Sequence, residues 1–184
     1  MPVPAAPASA AVTSGYVSSF ESAMRLALDQ AAGAGASGDV PVGAVVLDGT
    51  GTVAGAGHNR QQADHDPTAH AEIVAIRQAA MARRQWRLDG YTLVVTLEPC
   101  TMCAGAVTAA RLGRVVYGAA DSRAGAAGSL WDVLRDRRLS PHIEVIGGVL
   151  EDECANLLRE FFARRREGDP PGAGEAPEQT PQGT

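Results

Sequence analysis

The amino-acid sequence predicts one α/β layer fold, a five-stranded sheet with helices on its faces. Three observations lead there. Segments with apolar residues three and four apart alternate with short β-rich runs, and no segment repeats another. A chain of 184 residues suffices for one well-buried core but not for two ordinary domains. Residues 1–14 are rich in Ala, Pro and Ser, and residues 168–184 in Pro, Gly and Glu, compositions expected of disordered ends that leave residues 15–167 as the domain.

Residues 16–32 set Phe20, Met24, Ala27, Leu28 and Ala31 on one helical face, with Gly33, Gly35 and Gly38 expected to end the helix. Residues 42–47 then read as a strand, Asp48-Gly49 and Gly51 as turn residues, and residues 52–57 as the hairpin partner. Ile73, Ile76 and Ala80 mark a helix over residues 69–83. Residues 91–97 form a β-rich run that stops at Pro99, and the Ala-rich residues 101–111 follow as a helix. Residues 115–118 are a short buried strand, 129–136 a short helix and 143–146 the last strand. Residues 151–166 close the core as a helix with acids in its first turn and arginines in its last, as the helix dipole favours.

Composition bounds the function. No apolar run reaches the ~20 residues that span a bilayer, and residues 1–11 lack the basic and apolar regions of a secretory signal. The expected location is the cytoplasm. All 16 basic residues are arginine. The net charge of −5 is concentrated beyond Arg166, where Glu167, Asp169, Glu175 and Glu178 meet no base, so that residues 1–166 carry only −1. Local arginine clusters on a nearly neutral domain leave nucleic acid open as a partner.

Of the three cysteines, Cys100 and Cys103 stand close enough in sequence for metal or redox chemistry, and an odd number does not make a disulfide framework. His70 with this pair offers one imidazole and two thiolates, a set that zinc takes readily. A structural zinc site closes with four protein ligands, whereas a catalytic one leaves a position for water. Three ligands therefore point to catalysis. Pro99 is expected in the first turn of the helix that Cys100 and Cys103 open, with both thiols on one face near the positive helix end.

Glu72 follows His70 by two residues, which on a regular helix turning about 100° per residue directs the two side chains to different faces. It is a better proton carrier than fourth ligand: a glutamate near the attacking water can take its proton and deliver it to substrate nitrogen. Taken alone, a Cys-x-x-Cys is also compatible with a thioredoxin-like redox pair, and His-x-Glu with two surface residues. Together they appear as His-Ala-Glu, 26 intervening residues and Pro-Cys-x-x-Cys, an order already known as the zinc-deaminase signature H-x-E…P-C-x-x-C. His58, His65 and His142 read as loop or strand-edge residues, and Cys154 as a small buried hydrophobe.

Beyond this signature, the chain from about Ser22 to Arg166 resembles the bacterial tRNA adenosine deaminases of the TadA type, within the cytidine-deaminase-like superfamily. The likeness rests on Asp39-Val-Pro-Val-Gly-Ala-Val, His58-Asn59-Arg60, Asp66-Pro-Thr-Ala-His-Ala-Glu and Val95-Thr-Leu-Glu-Pro-Cys-Thr-Met-Cys-Ala-Gly-Ala. It continues in Gly125-Ala-Ala-Gly-Ser-Leu and in Phe161-Phe162 followed by arginines.

The resemblance implies a three-layer α/β/α cytidine-deaminase-like fold with a mixed five-stranded sheet, a homodimer, and conversion of the wobble adenosine of a tRNA anticodon to inosine. It implies one Zn2+ per chain on His70, Cys100 and Cys103, proton transfer by Glu72, a nucleoside contact from Asn59 and a place near the ribose for Asp121. It sets the last helix beside the substrate, where Arg164, Arg165 and Arg166 are expected to contact phosphates of the anticodon stem-loop. Ala120 stands where family members commonly carry a basic residue. Two other readings remain: a deaminase of a free nucleobase or nucleoside such as cytosine, guanine or adenosine, and a non-catalytic zinc-stabilised RNA-binding module. The first predicts ammonia release from small molecules, the second a closed fourth coordination position and no turnover.

Overall fold

The computed structural model describes residues 19–168, and the disordered ends expected at 1–14 and 168–184 lie outside it except for Gly168. The first helix is α1 (Phe20–Ala32), followed by a 3-10 turn (Gly33–Ser37), β1 (Gly43–Leu47), β2 (Val53–His58) and a short α2 (Gln61–Asp64). Then come α3 (Ala71–Arg83), β3 (Thr92–Leu97), α4 (Thr101–Ala110), β4 (Arg114–Ala119), β5 (Glu144–Ile146) and α5 (Glu151–Gly168). The five strands form one mixed sheet in the order β2-β1-β3-β4-β5. Strand β1 is antiparallel to β2 and β3, while β3, β4 and β5 run parallel.

The sheet is covered on both faces, which is why β1 and β3 read as continuous apolar runs and not as alternating ones. Val45, Val94 and Val116 pack with α1 and with Cys154 of α5. Val46, Leu93, Val95 and Val115 pack on the other face with Ala75 and Ile76 of α3 and Ala104 and Val107 of α4. Each such fully buried aliphatic side chain contributes on the order of 1.5–3 kcal/mol. Gly43 lets α1 lie directly on β1: a Cβ there would stand 2.0 Å from the Ala27 carbonyl oxygen and 2.4 Å from the Ala31 nitrogen.

Two expectations need correction, and one element is additional to them. The glycines after α1 do not stop the chain at once; it tightens into the 3-10 turn and ends at Gly38, whose φ is 73°. Residues 129–136 form no helix: they run as turns with an Ala127–Asp132 bridge, because their backbone pairs back to residues 125–128, the Leu130 and Trp131 N–H groups donating to the Gly125 carbonyl and the Val133 N–H to the Ala126 carbonyl. Helix α2 was not expected, and Asp39 builds it by accepting from the N–H groups of Gln62 (2.7 Å) and Ala63 (3.3 Å).

Candidate active site

His70 and Cys100 are the N-cap residues of α3 and α4, both with extended backbone. Two helix N-termini thus meet at one point, each presenting its positive end. This corrects two details of the sequence reading. Pro99 precedes the N-cap and does not occupy the first helical turn. His70 lies outside the helix, at φ −74° and ψ 153°, so the angular step of a regular helix does not govern its relation to Glu72.

The donor atoms of His70, Cys100 and Cys103 all lie within 4.8 Å of one another. His70 Nδ1 is 3.8 Å from Cys100 Sγ and 3.6 Å from Cys103 Sγ. Ligands about 2.3 Å (sulfur) and about 2.0 Å (nitrogen) from a tetrahedral zinc stand roughly 3.6 Å apart, so the spacing fits the ion. The acid–base chemistry fits it as well. The hydrogen bond from the Cys103 thiol, and the one with His70, hold the Cys100 thiol at about 3 against the effect of burial. The Cys103 thiol is pushed up by that same bond with Cys100, by burial and by the nearby Glu72 charge. By themselves the two thiols release one proton readily and keep the second; a dication beside them stabilises both thiolates.

Glu72 is buried, 3 % exposed, in the first turn of α3 and reaches the Cys103 thiol. Burial pushes its carboxyl above the ordinary glutamate range, opposed by its backbone amide and by His70. A carboxyl group so raised takes up a proton more readily than an ordinary glutamate, which suits a proton carrier.

Asn59 completes the end of α3 in place of a capping His70 side chain: its Oδ1 accepts from the Ala71 N–H at 2.9 Å. Nothing among the described residues accepts from its Nδ2. Asp121 follows β4, and its Oδ1 accepts from the N–H groups of Arg123 (2.9 Å) and Ala124 (3.2 Å), which shapes the loop beyond it. Arg164, Arg165 and Arg166 are exposed near the end of α5. Arg164 and Arg165 line an open groove with Gly35, Gly38 and Phe161, and the guanidinium of Arg165 lies over the Phe161 ring.

His58, His65 and His142 take no part in the three-ligand group, and Cys154 is buried against Gly118. Two organising acids escaped the sequence reading. Asp39 holds α2, which follows Asn59, and Glu98 accepts four hydrogen bonds from residues 121–129. The available signal was position: Glu98 stands two residues before Cys100 in a sheet-to-helix turn.

The profile of the cytidine and deoxycytidylate deaminase zinc-binding region matches residues 17–119. The chain is 47% identical over 147 residues to a tRNA-specific adenosine deaminase of Haemophilus influenzae, covering 80% of this chain and 85% of that one. A solved structure from work on A-to-I editing by tRNA:A34 deaminases at the wobble position of transfer RNA is 43% identical, with a TM-score of 0.71 over 74% of this chain and 98% of the other. A guanine deaminase of Nitrosomonas europaea is similar in fold, with a TM-score of 0.73 over 83% of this chain and 89% of the other, at 25% identity.

Proposed function

The chain belongs to the cytidine and deoxycytidylate deaminase zinc-binding family, and from that membership we propose that it hydrolyses the wobble adenosine of a tRNA anticodon to inosine. The carrying observation is the meeting of His70, Cys100 and Cys103 beside the buried carboxyl of Glu72. The adenosine and tRNA assignment is supported by the greater likeness to the tRNA-specific adenosine deaminase than to the guanine deaminase.

His70 Nδ1 and the sulfurs of Cys100 and Cys103 hold one zinc ion, which supplies Lewis acidity that lets water act as a nucleophile at neutral pH. Glu72 takes one proton from the attacking water and gives it to the ring nitrogen, then takes the proton of the new C6 hydroxyl and gives it to the departing amine. The C6–O bond forms, the C6–N6 bond breaks, ammonia leaves, and Glu72 returns to its starting state. Asn59 offers Nδ2 to the nucleoside, its Oδ1 being fixed by Ala71. Asp121 lies near the ribose. An anticodon loop presents unstacked bases, so little duplex has to be opened.

We further infer a homodimer, for which exposed apolar side chains such as Met102, Leu130 and Trp131 offer a surface. The tRNA substrate places the enzyme in the cytoplasm, and no helix among the described residues is long and apolar enough to cross a membrane.

The test compares inosine formed in an anticodon stem-loop with ammonia released from guanine, cytosine and adenosine. Inosine in the RNA with little turnover of the small molecules is expected. Turnover of guanine without inosine would identify a free-base deaminase, and zinc without turnover on any substrate a non-catalytic module.

Arg164, Arg165 and Arg166 supply phosphate contacts for the stem. Such contacts carry little sequence information but release counterions, so replacing all three by alanine is expected to weaken binding to many RNAs about equally and to flatten log affinity against log salt by up to about 0.7–0.9 per lost contact. Zinc content and fold should persist. Unchanged slopes would leave the three as solvated charges at a helix end.

A further inference from the structure

Glu98 is 2 % exposed, and neither the zinc ligand set nor the proton chemistry uses it. Among the described residues no arginine or histidine forms an ion pair with it. Its carboxylate is satisfied by one loop. Oε1 accepts from the N–H groups of Ala127 (2.9 Å) and Ser129 (3.0 Å), and Oε2 from the Asp121 N–H (3.0 Å) and the Ser129 hydroxyl. A carboxylate taken out of water without a cation is costly unless its lone pairs are filled, and here backbone dipoles and a hydroxyl fill them.

The chain on either side of Glu98 is tied to the same region. The Glu98 N–H donates to the Ala119 carbonyl at 2.9 Å, the Ala126 N–H donates to the Pro99 carbonyl at 2.8 Å, and Cys100 bridges to Gly125. Gly125 lies hard against the carboxylate: a Cβ there would stand 2.5 Å from Glu98 Cδ and Oε2 and 2.5 Å from the Asp121 carbonyl oxygen. Only glycine allows so close an approach.

We propose that Glu98 is a positioning residue for the deaminase site, the anion around which residues 121–129 fold, and that through the Pro99–Ala126 and Cys100–Gly125 pairings this loop fixes Cys100 as a metal ligand and sets Asp121. The inference rests on the zinc-deaminase reading above. Outer groups that orient metal ligands typically affect metal affinity or activity by 10- to 100-fold. Glu98→Gln keeps the shape but turns an NH2 toward an N–H donor; Glu98→Asp keeps the charge but withdraws the carboxylate by one methylene.

The experiment compares wild type, E98Q, E98D and S129A in zinc release to a chelator, in the thiolate-to-cobalt charge-transfer band of the cobalt-substituted protein, and in kcat and KM on an anticodon stem-loop. In E98Q we expect zinc release about 10- to 100-fold faster, a shifted charge-transfer band, kcat about 10- to 100-fold lower, and a KM raised as Asp121 is displaced from the ribose. E98D is expected to recover part of each. A variant with lowered Tm but wild-type release, spectrum and kcat would overturn the proposal and leave Glu98 a brace of the fold. Should E98Q not accumulate folded, S129A carries the test, since it removes one hydroxyl donor and leaves the carboxylate: faster release by a few-fold supports the proposal, and unchanged release and spectrum overturn it. Wild type that holds no zinc or makes no inosine would bring down the deaminase reading and this proposal with it, whereas active wild type matched by the variants brings down this proposal alone.

Discussion

Glu72→Ala is expected to retain zinc, fold and RNA binding while turnover falls by about 10²- to 10⁴-fold, the contribution typical of a positioned general acid–base. The metal should stay because the three-ligand group is made by His70, Cys100 and Cys103 without Glu72. The loss should fall on kcat because the missing group acts on protons in flight and not on the bound nucleoside. Glu72→Gln keeps the volume of the buried side chain and should lose nearly as much, since an amide cannot carry the proton. Zinc content per chain, affinity for an anticodon stem-loop and single-turnover inosine formation, measured on the same preparations, separate the roles. If Glu72→Ala instead releases zinc as His70→Ala does, Glu72 is a ligand and the mechanism above is wrong.

The aim of Glu72 was hidden from the sequence for a definite reason. Residue spacing translates into direction only where the backbone is regular, and His70 sits at a helix cap with ψ 153°. The same physics moved Pro99 out of the helix and made Cys100 the cap of α4. Ligand identity was legible because zinc demands particular donor atoms, and His, Cys and Cys with no fourth partner match a catalytic site. Ligand geometry was not, because it depends on two helix starts that only the sheet brings together.

A similar division holds for the fold. Strands β1, β3 and β4 were legible because burial on both faces leaves nearly continuous apolar runs. Residues 129–136 carry Leu130, Val133 and Leu134 at helical spacing, yet Leu130 is 49% exposed and only Leu134 enters the core. That segment pairs its backbone back to residues 125–128, a stretch whose Ala127 N–H is held, with that of Ser129, by the distant carboxylate of Glu98. Long-range acceptors of this kind, Asp39 for α2 among them, leave no periodic trace.

Cys103→Ala is expected to abolish zinc binding and activity together and to lower thermal stability, with Cys100→Ala doing the same. Cys103 is fully buried, and its sulfur stands 3.6 Å from His70 Nδ1, so its loss leaves one thiolate and one imidazole to hold the ion. Metal that binds only the folded chain stabilises it by mass action, about 4 kcal/mol when free zinc exceeds its dissociation constant by a thousandfold. At 2–4 °C per kcal/mol for a domain of this size, that stabilisation raises Tm by on the order of 10 °C. Removing zinc from the wild type with a chelator should therefore lower its Tm most of the way to that of Cys103→Ala, and adding zinc should restore the wild type but not the variant. The variant should keep its fold at lower temperature, because the sheet and its two covered faces do not depend on the site. Full zinc occupancy in Cys103→Ala, or full activity in wild type rigorously stripped of metal, would show that the three-ligand site is not where the chemistry occurs.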